Sequence, residues 1–372
     1  MRRIRFNSFQ TKNLLLSCAL LFALTTGYSG KPHLSFFCEL QGKEFNQLFN
    51  DSALIHQLVE MQVSVRIGLH DFSPERTQTI QKLNNAGVPI VAWLLLSEED
   101  GYWFNMHNAD KAEKRYDEFK EWTARNHLKW EGIGIDLEPD MKDIRLALNH
   151  PWKLAWRVYK RLYDNESLKK GKEQYQHLIS RMKSDGYTVE SYLISVIYEE
   201  RAKNISSGQK LMGIVDIKTD KEIPMLYSSM MNNPGNIPLY LQKNMPVGLG
   251  STGGGVKIEG VELASLSWES LERDLLVASK LTGDIHIFCL ETSVQKGFLT
   301  KIQHLDFDQK APDISLETKK QSQINSKLRT VLILLNYPFL LTVSVFVIIS
   351  GIFFGFYKLI VFCIRWVKKS SQ

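Results

Sequence analysis

Cysteine is scarce in this sequence, with four residues among 372. Cys18 and Cys363 fall near the two termini, which leaves Cys38 and Cys289 for the middle of the chain. Four cysteines placed in this way do not make the disulfide framework of a small secreted domain. The sequence also lacks C-x-x-C, H-E-x-x-H and P-loop patterns, so it predicts no cofactor and none of the common zinc or nucleotide sites.

The sequence also has no large excess of positive or negative residues. Lysine and arginine number 46 and aspartate and glutamate 40, which gives a net charge of +6 at pH 7. The charge is spread along the chain rather than collected into one stripe, and part of the excess lies at the termini. This distribution argues against a nucleic-acid partner. No internal repeat is visible.

The N-terminal segment, residues 1–30, has the features of a secretory signal. It combines a basic start, an apolar run from Leu14 to Leu24 and a small-residue exit. The run is short for a membrane span, and an uncleaved N-terminal anchor is the alternative.

The C-terminal part of the chain carries a longer apolar run. Residues 329–357 are almost wholly apolar and long enough to cross a bilayer with tilt. The tail, residues 358–372, is basic, and the positive-inside rule places it in the cytoplasm. Residues 306–328 are polar and are predicted to be a tether. The sequence thus predicts an extracytoplasmic domain, residues 31–305, on a single-pass membrane anchor.

Residues 31–305 alternate between strand-like and helix-like patterns. Their number is near the usual size of one (β/α)8 barrel, and helical patterns separate most of the strand candidates. We therefore predict an α/β fold, a (β/α)8 TIM barrel, with an open α/β sheet as the alternative. The predicted strands are Leu34–Glu39, Val63–His70, Pro89–Leu96, Gly132–Glu138, Tyr192–Tyr198, Ile223–Tyr227, Pro246–Gly250 and Asp284–Leu290.

The fourth predicted strand carries the strongest functional signal. Asp136 and Glu138 are two residues apart, so on a strand their side chains point to the same side. Pro139 ends the strand directly after them, which places the pair at the carboxyl end, where barrels bind ligands. Two carboxylates are costly to bury there without a task or a partner. This favours a functional pair, with ordinary ion pairing or a solvated loop as the alternative.

Acidic and aromatic residues accompany the ends of the other predicted strands too. Aromatic rings stack on sugar faces and carboxylates hydrogen-bond sugar hydroxyls, so the set predicts a carbohydrate pocket. Crowded acids also raise one another's pKa, as a general acid requires. The alternative is that any eight polar loops contain acids. The candidate substrate-binding residues are Glu39, Asp71, Trp93, Glu98, Tyr102, Trp103, Tyr198 and Glu291.

Around the fourth and sixth strands the sequence resembles glycoside hydrolase family 18, the chitinase-like barrels. That family carries D-G-x-D-x-D-x-E on its fourth strand, and residues 131–138 share the Gly, the last Asp and the Glu. Its sixth strand often reads M-x-Y-D, and residues 225–228 read M-L-Y-S. The resemblance implies that Glu138 is the general acid. It also implies that Asp136 and Tyr227 hold the substrate's N-acetyl group, which attacks the anomeric carbon in place of an enzyme nucleophile.

The sequence departs from the family pattern at several positions. Glu131 stands for the first Asp, Gly134 for the middle Asp and Ser228 for the Asp after the Tyr, and the Trp usual at the end of the eighth strand is absent. The resemblance still implies a membrane-anchored, extracytoplasmic glycosidase acting on an N-acetylated glycan, with glycan and membrane as its partners.

Two alternatives stay open at this point. The same barrel would be a catalytically inactive carbohydrate-binding or surface-interaction module if its acids only hydrogen-bond sugar. The second alternative is a metal-dependent hydrolase at the barrel mouth. Its candidate ligands are Glu39, His70, Asp71, Glu98 and Asp136.

Smaller expectations concern cysteine and tryptophan. Cys38 and Cys289 fall on the first and eighth predicted strands with their side chains on opposite faces, so we expect two buried thiols rather than a bridge. Trp122, Trp152 and Trp156 lie on predicted helix faces and are expected to pack in the core.

Overall fold

Eight parallel strands alternate with helices along the chain, as the sequence predicts. The computed structural model describes residues 30–231, 233–255 and 264–370, so the predicted signal segment lies outside the described residues apart from Gly30. The strands are β1 (His33–Cys38), β2 (Ser64–Leu69), β3 (Ile90–Leu94), β4 (Gly132–Asp136), β5 (Thr188–Leu193), β6 (Lys221–Pro224), β7 (Val247–Gly250) and β8 (Asp284–Phe288).

The strands form a nearly closed barrel. Their order is β6-β5-β4-β3-β2-β1-β8-β7, and every pair is parallel. The ring closes between β6 and β7 through a bridge of Met225 to Gly248, where the Leu226 N–H donates to the Gly248 carbonyl at 2.9 Å. The (β/α)8 barrel prediction is therefore confirmed over the open sheet.

Helices surround the barrel and continue beyond it. Those of the barrel and its loops are α1 (Gly42–Asn50), α2 (Ser52–Glu60), α3 (Pro74–Ala86), α4 (Ala109–Arg125), α5 (Met141–Asn149), α6 (Pro151–Leu162), α7 (Asn165–Ser184), α8 (Val196–Arg201), α9 (Ser207–Met212), α10 (Ser228–Met231), α11 (Asn236–Tyr240), α12 (Trp268–Ser279), α13 (Leu290–Gln295) and α14 (Phe298–Gln303). Two more helices follow, α15 (Ser315–Leu335) and α16 (Pro338–Ser370).

Alternation along the strands divides the core into two parts. Outward residues of β1 such as Leu34 and Phe36 pack under the helices, in a large apolar cluster. Inward residues such as Phe37, Trp93 and Tyr192 form a smaller, mostly aromatic cluster inside the barrel. Because side chains alternate with period two, each strand contributes to both.

A buried ion pair crosses the barrel interior below the aromatic cluster. Arg66 of β2 donates to both carboxylate oxygens of Glu190 of β5, at 2.8 and 3.0 Å, and the Tyr192 hydroxyl donates to the same carboxylate at 2.7 Å. Burial opposes ionisation of Glu190, but the charges of Arg66 and His286 and the hydrogen bonds from Arg66 and Tyr192 together lower the pKa of that carboxyl. The pair satisfies charges that would otherwise be costly inside the barrel.

Two strands lie earlier in the sequence than predicted: β6 spans Lys221–Pro224 instead of Ile223–Tyr227, and the fifth strand is displaced further. The polar interior explains the displacement of the fifth strand. The sequence predicts the fifth strand over Tyr192–Tyr198, whereas β5 spans Thr188–Leu193. Glu190 and Ser191 lie within it and interrupt the apolar pattern, because Glu190 is matched by Arg66 on another strand. The residues after Leu193 enter α8 instead.

Part of the segment predicted to be a polar tether, residues 306–328, is helical. From Ser315 onward this segment is the helix α15, which lies against the barrel. Gln321, Asn325 and Leu332 are buried there. Gln321 accepts a hydrogen bond from Asn233, and the Leu332 carbonyl accepts one from Ser207 of α9 at 2.6 Å. The polar side chains that suggested a tether are thus docking contacts.

The predicted apolar span over 329–357 is divided between two helices. Residues 329–335 belong to α15, and α16 begins at Pro338. Within α16, Pro338–Lys358 is a stretch of 21 residues that is apolar and long enough to cross a membrane. It is not buried inside the protein.

The cysteine expectation is confirmed and the tryptophan expectation holds for one residue of three. Cys38 and Cys289 are buried free thiols that belong to different apolar clusters. Trp122 is buried, but Trp152 and Trp156 are 86% and 59% exposed. Their helix α6 packs through its opposite face, so the expectation of core packing is wrong for both.

Candidate active site

A cavity of about 440 Å³ opens at the carboxyl ends of the strands, where barrels place their sites. Three carboxylates line it together with a majority of aromatic and apolar side chains. Its lining includes Phe37, Glu39, Trp93, Trp103, Asp136, Glu138, Ile144, Tyr192, Met225, Tyr227, Ser229, Ser251, Gly255 and Phe288.

The backbone after β4 fixes the position of the Asp136–Glu138 pair. The Phe104 N–H donates to the Asp136 carbonyl at 2.9 Å, and the Glu138 N–H donates to the Phe104 carbonyl at 3.2 Å. Asp136 is buried and Glu138 is half-buried. The Oδ1 atom of Asp136 has no hydrogen-bond partner within the part of the chain that the structure describes. Such an atom is available to a ligand.

Burial and crowding hold protons on this pair. Burial raises the pKa of Asp136 well above its usual range, and the charges of Glu138 and Glu39 add to the effect. Burial raises the pKa of Glu138 to about 7. At neutral pH Glu138 is therefore protonated in a large fraction of molecules, which is the state a general acid needs.

Glu39, at the end of β1, supplies the third carboxylate. It is buried and accepts a hydrogen bond from the Tyr102 hydroxyl at 2.6 Å. The Glu39 N–H donates to Oε1 of Glu291 at 3.4 Å, so the ends of β1 and β8 meet beside the cavity. Tyr102 and Glu291 are thus neighbours that support Glu39 and do not line the cavity themselves.

Aromatic rings form the floor and one wall of the cavity. The Phe37 ring lies edge-on to Tyr192 at 4.7 Å and to Trp93 at 5.5 Å between centroids. Tyr227 packs at 5.9 Å from Phe288. The indole N–H of Trp93 is buried without a hydrogen-bond partner among the described residues. Flat apolar faces with an unused donor and an unused acceptor suit a ligand that has both apolar and hydroxyl-bearing sides.

Gly134 is the inward residue one step below Asp136, and Tyr192 occupies the space above it. A Cβ built on Gly134 would lie 2.0 Å from the Tyr192 hydroxyl oxygen and 2.7 Å from its ring. No side chain fits at position 134 unless Tyr192 moves. The space beside Asp136 at this level of the barrel is therefore filled by a tyrosine from β5.

The remaining predicted binding residues lie away from the cavity lining. Asp71 accepts from Arg76 at 3.1 Å and from the Ser73 N–H at 2.9 Å, so it supports the start of α3. Glu98 is exposed and pairs with Arg145. Tyr198 lies in α8 and lines a separate cavity beside α15, because β5 ends five residues earlier than predicted.

The metal alternative receives no support from the geometry. Among residues 30–231, 233–255 and 264–370, no group of three or more His, Cys, Asp or Glu side chains is arranged to hold a metal ion. His70 contacts the Glu39 carbonyl at 3.2 Å, while Asp71 and Glu98 each pair with an arginine. The five candidate ligands do not converge.

Sequence reasoning missed several lining residues that strand alternation could have found. Phe37 lies two residues before Glu39, so it shares the inward side of β1. Phe288 is an inward residue of β8 by the same period-two rule. Tyr192 was hidden because the predicted fifth strand began where β5 nearly ends. Ile144, on α5, carries no signal in the sequence.

Fold and cavity together define a (β/α)8 barrel protein with an acidic, aromatic-lined pocket at the mouth. No family model matches the chain, and no curated protein does.

Solved structures similar to the chain include Gas2 of Saccharomyces cerevisiae. Gas2p in complex with laminaripentaose is 11% identical with a TM-score of 0.36, over 70% of this chain and 57% of that one. Its complex with laminaritriose and laminaritetraose is 12% identical with a TM-score of 0.36, over 70% and 58%. The chain thus spans less than two thirds of the length of these proteins. Likeness at this level carries no conclusion about activity.

Proposed function

We propose that the chain is a glycoside hydrolase that acts on an N-acetylated glycan with Glu138 as general acid. The observation that carries the proposal is the Asp136–Glu138 pair, two buried or half-buried carboxylates facing one aromatic-lined cavity. The proton held by Glu138 near neutral pH suits protonation of a glycosidic oxygen. Asp136, with its unused oxygen, would orient the acetamido group, and Tyr227 would hydrogen-bond it.

In this mechanism the substrate's own acetamido oxygen attacks the anomeric carbon while Glu138 gives its proton to the leaving oxygen. Water then opens the cyclic intermediate, and Glu138 takes a proton back from that water. Asp136 and Tyr227 hold the acetamido group in line throughout. The aromatic lining would stack on sugar rings and exclude water from the reacting centre.

A carbohydrate-binding module without turnover is the second candidate. Tyr192 fills the position of the family's middle aspartate, and Ser228 donates its hydroxyl to Asp274 rather than reaching the cavity. Two of the family's acidic positions are thus lost. The cavity would then bind sugar through the same carboxylates and rings without cleaving it.

We further propose that α16 anchors the protein in a membrane with the barrel outside the cytoplasm. The support is the apolar stretch Pro338–Lys358 and the basic residues around its C-terminal end. By the positive-inside rule these residues stay in the cytoplasm. Those basic residues are Lys358, Arg365, Lys368 and Lys369.

The test of the catalytic proposal compares wild type with Glu138→Gln, using the full chain in detergent micelles. Substrates are chromogenic N-acetylglucosamine oligomers, peptidoglycan and laminaripentaose, a glucan without N-acetyl groups. We expect release from an N-acetylated substrate to fall at least about 100-fold in Glu138→Gln, the contribution of a general acid. Glu131→Gln, an exposed carboxylate at the other end of β4, is the matched control and should keep full activity.

Each other outcome has a definite meaning. No release by wild type, with glycan binding retained in both proteins, would establish the binding module. Release that survives in Glu138→Gln would remove Glu138 from the mechanism. Absence of both release and binding would contradict the carbohydrate proposal altogether.

A further inference from the structure

Four aromatic residues form an exposed stripe along α6 and the residue that follows it. Trp152, Trp156, Tyr159 and Tyr163, called the aromatic stripe below, are 86%, 59%, 37% and 42% exposed. Their spacing of four, three and four residues places them on one face of a helix. Three of the four rings contact in sequence, with centroids of Trp156 and Tyr159 at 5.6 Å and of Tyr159 and Tyr163 at 5.4 Å. Trp152 extends the same face by one helical turn.

The opposite face of α6 packs against the rest of the protein. Leu154 and Val158 are partly buried, and Arg161 and Leu162 are buried. Arg161 donates to Asp143 of α5 at 2.7 Å, and the same guanidinium reaches the Leu211 carbonyl at 2.8 Å. The helix is therefore held by its inner face, and large aromatic side chains are not needed outside for packing. An exposed patch of this kind marks an interaction surface.

The aromatic stripe adjoins the start of the apolar helix α16. The hydroxyls of Tyr159 and Tyr163 lie 3.3 and 3.0 Å from the Thr342 hydroxyl. Thr342 is the fifth residue of α16, whose apolar stretch begins at Pro338. The stripe thus lies where the proposed membrane span leaves the barrel.

The chemistry of the stripe matches a membrane interface. Tryptophan and tyrosine concentrate at the headgroup level, where a ring contacts acyl chains and its N–H or O–H contacts water. Lys153 and Lys160 are exposed on the same helix, and the Lys160 ammonium lies 5.1 Å from the centre of the Trp156 ring. Cations beside an aromatic face are typical of helices that lie flat on a bilayer with anionic lipid.

We propose that α6 is an interfacial membrane helix whose aromatic stripe lies in the headgroup region of the leaflet that α16 enters. This inference rests on the membrane anchoring proposed above and not on glycosidase activity. It has a consequence for the cavity, because α5 joins α6 through His150 and Ile144 of α5 lines the cavity. The rim of the cavity is then held beside the bilayer surface.

The experiment measures quenching of tryptophan emission by bromine in the bilayer. The full chain is reconstituted in vesicles of phosphatidylcholine and phosphatidylglycerol, either unlabelled or brominated near the top of the acyl chains. Subtracting the spectrum of Trp152→Phe/Trp156→Phe from that of wild type isolates emission from the stripe. We expect this difference emission to fall at least about twofold in brominated vesicles, as an interfacial position requires.

Trp122→Phe is the matched control. Trp122 is buried on α4 against Phe72 and Trp130, with ring centroids at 4.8 and 6.0 Å. Its difference emission should be the same in both kinds of vesicle. Both sites in the double variant are exposed and phenylalanine keeps a ring there, so folding is preserved.

Flotation of the same vesicles measures whether the protein is bound to them, and it distinguishes failure of the interfacial helix from failure of the membrane anchor. Protein that floats with the vesicles while the stripe stays unquenched would overturn the interfacial helix and leave the anchor intact. If cross-linking then traps a dimer, a second copy of the chain covers the stripe instead. Protein that does not float would overturn the anchor, and the interfacial helix with it.

Discussion

At the scale of single residues, the site depends on where protons and side-chain atoms are placed. Asp136 and Glu138 share one face at the end of β4, and burial keeps protons on both. Tyr192 decides what can stand beside them, because its hydroxyl fills the space above Gly134. The packing of Tyr192 therefore limits which side chains can stand beside the two carboxylates.

The raised pKa of Glu138 predicts a pH-dependent stability. In the unfolded chain this carboxyl loses its proton near its ordinary pKa of 4.5, and in the folded protein only near about 7. The stabilisation is thus complete below pH 4.5 and is lost as pH rises to 7. Between pH 5 and 8 wild type should lose on the order of 1 to 3 kcal/mol relative to Glu138→Gln. Denaturant unfolding at both pH values measures this difference, and parallel curves for wild type and variant would contradict it.

Gly134→Ala tests the contact with Tyr192. The added methyl forces Tyr192 aside and weakens its hydrogen bond to Glu190, so we expect a loss of about 1 to 3 kcal/mol or more in unfolding free energy. In a Tyr192→Ala background the same change should cost much less. Gly248→Ala in β7 is the control, because a Cβ there would lie no closer than 3.5 Å to any neighbouring atom, which is an ordinary van der Waals contact. If Gly134→Ala lowered the unfolding free energy equally in both backgrounds, the contact with Tyr192 would not be the cause of the loss.

At the scale of elements, α15 joins the barrel to α16 as a docked helix. Its contacts are mostly polar, and the strongest pairs Arg329 with Glu199 of α8 at 2.5 Å. Glu199 is buried and also accepts from the Tyr240 hydroxyl at 2.6 Å. A buried carboxylate with two donors fixes the helix on the barrel surface.

Arg329→Ala should loosen α15 without unfolding the barrel. Glu199 would keep one donor of two, and since Arg329 is 38% exposed we expect a cost of only about 1 to 2 kcal/mol. Hydrogen exchange of the Ser315–Leu335 amides should speed up while exchange in β1–β4 stays unchanged. Lys327→Ala, an exposed neighbour on the same helix, is the control and should leave exchange unaltered. Unchanged exchange in Arg329→Ala would mean that the apolar contacts alone hold the helix.

At the scale of the whole molecule, three features would set the orientation of the barrel relative to the membrane. The apolar helix α16 is the proposed anchor, and the aromatic stripe is a proposed second contact with the membrane. Because α15 is a docked helix, the connection between barrel and anchor is less free than a flexible tether would be. Two attachments fix an orientation where one would allow rotation. Under these proposals the cavity meets glycans close to the membrane rather than free in solution.

The sequence by itself determined the features that repeat locally. Apolar runs and helical periods indicated eight strands and the barrel, and the D-x-E spacing indicated that Asp136 and Glu138 face the same cavity. Alternation with period two also predicts that Glu39 and Trp93 point into the barrel. These features can be predicted because each depends only on residues close together in the sequence.

Only the tertiary structure decided which distant residues meet. Glu190 is tolerated in β5 because Arg66 faces it across the barrel, and this pairing moved the fifth strand from its predicted place. Tyr192 reaches Gly134 from the next strand, and the polar face of α15 finds partners that the sequence does not indicate. A polar or aromatic residue looks the same in sequence whether water, a membrane or another strand faces it. Its partner is chosen by the fold.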